Sequence, residues 1–252
     1  MLMGAVSLER CLLAAAAASV GILGLAYGDY APAWHAFPAG VPGREIWIGG
    51  FALILIAASA GLCIPRIATP SLWAIEAYYL IWAAIAAGPI FAAPLNVVGW
   101  YGTVEALTAL AGVVLLQSAR SPVVVRGAQI VFGLTCVFYG WSHFAYADYT
   151  ASMVPSWLPG SLALAYVTGA CHIAAGLGLI AGVLPRLAAA LEAAMMSLFG
   201  LLVWVPTLLT EDKPKWATPP QAQWTEIIVN LLLAAAAWIV AFSLRPRPQA
   251  TE

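Results

Sequence analysis

Charge is what this sequence has least of. Only 8% of its 252 residues are charged, against about 25% in a typical soluble domain. The formal net charge is -1, so no basic face offers itself to nucleic acid, and none is expected as a partner. The four cysteines, Cys11, Cys63, Cys136 and Cys171, form no C-x-x-C and all lie in apolar stretches. There they read as small buried hydrophobes rather than as a redox pair. C-x-x-C-H, H-E-x-x-H and Walker loops are all missing. No metal centre is therefore predicted, and no catalytic residue can be assigned.

What fills the chain is apolar side chain: 63% of residues are hydrophobic and the mean hydropathy is +0.92. Such a chain is predicted to be an all-α, polytopic membrane protein. A transmembrane helix needs about 20 mostly apolar residues. Eight stretches qualify, at 9–28, 45–64, 72–90, 98–117, 123–143, 161–184, 187–208 and 223–243. Turn chemistry separates them, as in "PAGVPGRE", "IPRIATPS", "VLPR" and "TEDKPKWATPPQ". The long Ala, Leu and Gly runs leave no alternation for barrel strands.

The two halves read as copies. "GLCIPR" (61–66) answers "AGVLPR" (181–186), and Gly49 and Gly169 each sit 16 residues before Pro65 and Pro185. Trp100 and Trp224 open the last helix of each half. The expected organisation is two four-helix units, 1–118 and 119–252, in the same orientation about an axis along the membrane normal. The first apolar stretch then has a partner in the fifth, which argues for a retained helix rather than a cleaved leader. With the N-terminus inside, the inner segments hold Arg10, Arg66, Arg120, Arg126, Arg186, Arg245 and Arg247; the outer loops hold Arg44, Lys213 and Lys215. The positive-inside rule thus places both termini in the cytoplasm of a plasma (inner) membrane protein.

Ionisable groups inside a bilayer are costly, so each needs an account. Glu76 and Glu192 follow Arg66 and Arg186 within a few turns and are expected to form structural ion pairs with them. Tyr101, Glu105, Thr108 and Gly112 share one helix face, as do Glu226 and Asn230. Glu105 and Asn230 are candidates either for helix–helix hydrogen bonds or for a cavity. His35 falls in the first outer loop. His143 closes the fifth stretch, and His172 lies near the middle of the sixth. Ala165, Gly169, His172 and Gly176 form a narrow small-residue face, which should turn His172 toward protein. There it can titrate, donate a hydrogen bond, hold a metal or simply pack. Counting 1.5 Å per residue from the helix ends puts His143 and His172 about half a bilayer apart in depth, too far to share one haem.

Between these stretches runs "GWSHFAYADYTASMVPSWLPG" (140–160). Pro155 and Pro159 stop a helix, and Trp157 between them is an interfacial anchor. The segment reads either as a lid over His143 and His172 or as a seal for helix ends.

Residues 138–184 resemble the DoxX-like membrane proteins. The shared pattern is G-x-x-H-F, then M-x-P-x-x-L-P, then T-G-x-x-[EH]-I-x-x-G-x-x-L. Here it falls on Gly140, His143, Phe144, Met153, Pro155, Leu158, Pro159, Thr168, Gly169, His172, Ile173, Gly176 and Leu179. The likeness runs more loosely to 245. The first half departs from it, with Ala31 and Ala52 in place of the two histidines. The resemblance implies a four-helix unit and an association with redox enzymes, in some relatives a quinone-linked one. The expected function is thus a membrane subunit or accessory factor for quinone-linked or thiol/sulfur redox chemistry. A quinone is the cofactor to look for, a redox protein the partner beside the lipid bilayer, and His143, Trp157, Tyr166 and His172 the ligand-binding group. A small-solute transporter, with Pro89 and Pro206 as helix breaks, and a non-enzymatic assembly or chaperone factor are the alternatives.

Overall fold

The computed structural model describes residues 7–29, 37–118, 121–209 and 220–244. His35, Ala31, Arg120, Lys213, Lys215, Arg245 and Arg247 lie outside them. The described residues are helical, without strands. In chain order the helices are α1 (Leu8–Tyr27), α2 (Arg44–Gly61), α3 (Ala68–Ala86), α4 (Gly88–Ala92), α5 (Tyr101–Ser118), α6 (Pro122–Ala145), α7 (Ala147–Met153), α8 (Ser161–Ala181), α9 (Pro185–Phe199), α10 (Val205–Leu209) and α11 (Pro220–Ser243). Eight of the described segments are long and apolar enough to cross a membrane. Their ends fall within a few residues of those expected from the apolar runs.

Local chemistry sets the ends. Ser7 and Ser121 cap α1 and α6 by accepting the backbone N–H of Arg10 and Val124. Gly182 ends α8 at φ 74°, and the N–H of Val183 reaches back to Gly178 O at 2.8 Å. That left-handed turn is one glycine adopts without strain. Arg126 and Gln129 on α6 donate to the last α8 carbonyls: Arg126 Nη2 to Ile180 O at 2.6 Å and Gln129 Nε2 to Leu179 O at 2.6 Å. A cation at a helix C-terminus also complements its dipole. Across the first loop, Arg44 Nη2 meets Asp29 Oδ2 at 2.7 Å.

Two helices break near proline. Residues 68–92 split at Ala87, just before Pro89. The seventh span widens into a π-turn at Gly200–Trp204 before resuming as α10. Pro206 has no N–H for the carbonyl of Leu202, and its ring crowds that carbonyl, so the preceding turn opens. Pro89 and Pro206 each lie toward the far end of a 25-residue span, not at its middle.

Contacts run α1–α2–α3–α5 in the first half and α6–α8–α9–α11 in the second. α5 packs on both α6 and α11, and α1 on α11, so the halves form one bundle. α5 and α11 are its most enclosed helices. The closest approach is between α6 and α8. A Cβ on Gly140 would lie 2.5 Å from Gly169 O, and one on Gly176 2.5 Å from Gly133 O. Only hydrogen fits where backbones come this near.

Candidate functional site

The small face expected on α8 is the one that is buried: Ala165, Gly169, His172, Gly176 and Leu179. It carries His172 into the protein at 1% exposure. Its Nδ1 lies 3.0 and 2.9 Å from Oε1 and Oε2 of Glu192, which is equally buried. With Nδ1 donating to the carboxylate, Nε2 is left aimed into the interior with no hydrogen-bond partner. A buried polar atom without a partner is uncommon and asks for an explanation.

This pairing corrects two expectations. Glu192 pairs with His172 and not with Arg186, which is exposed. Six residues apart on one helix, the two side chains point about 120° apart around the axis. Glu76 likewise forms no ion pair with Arg66; it meets the Gln117 amide, whose nitrogen lies 2.6 Å from Glu76 Oε2 and whose oxygen accepts from Trp73 Nε1. Arg66 lies before α3 begins, too far along the axis to reach it.

A third correction concerns depth. The His143 and His172 rings are edge to face with centroids 5.1 Å apart. The expected half-bilayer offset assumed that α6 and α8 end at one level. Instead Gly169 is level with Gly140 and His143, so the first turns of α8 run past the end of α6, and α7 packs against them. Rings in direct contact still leave no room for a haem between them.

His143 Nδ1 lies 2.9 Å from Thr168 Oγ1. The Thr168 hydroxyl already donates to Leu164 O at 2.8 Å, so the imidazole is the donor and carries its proton on Nδ1. Phe199 stacks on His143 at 5.8 Å and also touches His172 at 5.9 Å. On the other side Tyr139 lies 6.0 Å from His172, and its hydroxyl is 3.0 Å from Thr108 Oγ1 on α5. Cys136 sits one turn from Tyr139 with its thiol against Glu192.

The remaining candidates divide. Glu105 and Asn230 are buried at 4% and 7% exposure on α5 and α11. Asn230 Nδ2 donates to its own helix, to Glu226 O at 2.8 Å, and its Cβ backs onto the π-turn at Gly200. Tyr166 and Trp157 do not join the histidines: Tyr166 faces outward beside Phe144, and Trp157 is 68% exposed. Tyr166 is six residues from His172 and so on another face of α8. The loop between α6 and α8 holds the short helix α7, whose Tyr149 comes near Glu226; partial burial, and then that carboxylate, push its phenol above the ordinary tyrosine range.

Tyr139, Phe199 and the Glu192 pairing are absent from the candidates drawn from sequence. A signal existed. Tyr139 and His143 are i, i+4, and Glu192, Met196 and Phe199 are i, i+4, i+7, so each set shares one helix face.

Among the described residues the first half holds no histidine and so no such pair. The register that pairs Gly49 with Gly169 and Pro65 with Pro185 sets Ala52 against His172 and Leu72 against Glu192, both buried and apolar. An aromatic cluster of Phe51, Tyr78, Tyr79 and Trp82 fills that interior instead.

Residues 132–241 match a family described as a domain of unknown function (DUF8561). The match begins within α6 and ends within α11, so it spans the part of the chain that carries His143, His172 and Glu192. No curated protein and no solved structure matches the chain.

Proposed function

We propose that the chain is an integral plasma-membrane protein with both termini cytoplasmic, built from two four-helix DoxX-like repeats, 1–118 and 119–252. In this reading its second repeat is a membrane subunit for quinone-linked redox chemistry. The observation that carries the reading is the His172–Glu192 pair with its unpartnered Nε2. An intramembrane His–carboxylate pair is a functional-site hypothesis by default, and once the ring takes up a second proton its unpartnered Nε2 can donate to a carbonyl ligand.

A bound quinone would supply two-electron, two-proton redox chemistry, with the electrons from a partner redox protein. The residues supply the rest. Glu192 holds the Nδ1 proton and offsets positive charge on the ring, so that Nε2 can donate a hydrogen bond and then a proton to the carbonyl oxygen. Phe199 and Tyr139 wall the imidazole from water, which strengthens that donation. His143, with its proton held on Nδ1 by Thr168, keeps its other nitrogen as an acceptor. The repeat reading is supported by contacts that exchange under a two-fold operation: α1–α11 with α5–α6, and α5–α11 with itself.

The test is a titration of solubilised wild type, Glu192→Gln and His172→Gln with a short-tailed benzoquinone. A hydrogen bond to a charged group contributes about 1.5–3 kcal/mol, so His172→Gln should bind at least about tenfold more weakly. Equal affinities would remove the reading. A second reading, small-solute transport, draws on the paired breaks before Pro89 and Pro206.

A further inference from the structure

A surface groove between α3 and α5 takes no part in the chemistry above. It has a volume of about 320 Å³ and is lined by Trp73, Glu76, Ala77, Leu80 and Gln117. Glu76 is partly buried. Gln117 Nε2 donates to its Oε2 at 2.6 Å, and the Gln117 oxygen accepts from Trp73 Nε1. That bond fills one of the roughly four acceptor positions of a carboxylate. Among the described residues no cation pairs with Glu76. Trp73 and Leu80 are 58% and 49% exposed, so the groove opens away from the bundle. A carboxylate that faces a bilayer without a counter-charge is costly.

We propose that this groove binds an aminophospholipid of the inner leaflet, with the primary ammonium of its headgroup on Glu76. The proposal rests on the membrane reading and orientation given above, and not on the redox chemistry. In that orientation α3 starts and α5 ends at the cytoplasmic face. Gln117 is the next-to-last residue of α5, so Glu76 beside it lies at headgroup depth. Trp73, Glu76, Ala77 and Leu80 fall at i, i+3, i+4 and i+7 and share one face of α3. Their order along the axis is that of a lipid. The indole and the carboxylate lie toward the cytoplasm, and the alkyl side chains lie toward the bilayer centre, where an acyl chain runs. An ethanolamine headgroup carries three N–H donors on its ammonium. It matches the open carboxylate positions in charge and in hydrogen bonding alike. A choline headgroup has the charge but no donor, and the net negative charge of a glycerol headgroup lipid is repelled.

Titration of the full-length solubilised protein with phosphatidylethanolamine and phosphatidylcholine of identical acyl chains, read by native mass spectrometry, tests it. Wild type should bind the ethanolamine lipid about tenfold more tightly, the worth of one hydrogen bond to a charged group. Glu76→Gln should bind the two lipids equally, while Glu192→Gln keeps the preference. Equal binding by wild type, or a preference that survives in Glu76→Gln, would overturn the proposal and leave the membrane reading standing. A wild type that retains neither lipid would overturn both. If Glu76→Gln fails to fold, a photoactivatable phosphatidylethanolamine on wild type decides the matter. Its label should fall on the α3 peptide that carries Ala77 and Leu80, and labelling elsewhere would overturn the proposal.

Discussion

His172→Ala is expected to lower the stability of the protein by about 3–5 kcal/mol, the usual cost of removing one partner of a buried ion pair. The loss comes less from the vanished hydrogen bond than from what is left behind. Glu192 would keep a carboxyl at 1% exposure, beside the Cys136 thiol, with the imidazole gone. The double variant His172→Leu/Glu192→Leu should recover most of that stability, because apolar replacement of both partners is often neutral or stabilising. Thermal unfolding in detergent, followed by tryptophan fluorescence, measures both. A double variant no more stable than His172→Ala would mean that the pair does not act as a unit.

Gly140→Leu is expected to abolish folded protein. A Cβ there would sit 2.5 Å from Gly169 O, 2.5 Å from Ile173 Cγ1 and 2.9 Å from Ile173 N. Two of these are backbone atoms that cannot rotate away, so α6 and α8 must separate. Overpacking typically costs about 1–3 kcal/mol, and a backbone clash in the tightest helix pair should exceed that range. His143 and His172 approach each other across this same contact, so any surviving fold should also lose the site. Gly127, on the same helix with nothing within 4 Å of its would-be Cβ, is the control: Gly127→Leu should accumulate normally. Size-exclusion profiles of the two variants make the comparison. Equal monodisperse yields would refute the packing account.

Much of the architecture could be read from sequence, for identifiable reasons. Long apolar runs broken by Pro, Gly and charged turns are an unambiguous signal, which is why the eight stretches fall so near the observed helices. The buried face of α8 was legible too, because Ala165, Gly169 and Gly176 leave only one side on which a partner backbone can approach. Partnership was not legible. Sequence proximity pairs Glu192 with Arg186, whereas its partner His172 lies on α8, one helix back. The meeting of His143 with His172 depends on α8 overrunning the end of α6, an offset set by the Gly140–Gly169 and Gly133–Gly176 contacts. No local pattern encodes that offset. The π-turn before Pro206 was foreshadowed only as a break, and its position against Asn230 is a tertiary fact.

The central claim is that the buried His172–Glu192 pair holds a redox ligand and is not merely a strut. Native mass spectrometry of the gently solubilised protein, with an optical spectrum of the same sample, tests it most directly. The account predicts a bound quinone in wild type and none in the folded His172→Leu/Glu192→Leu variant. A wild type without cargo, or a folded double variant that keeps the same quinone, would contradict it.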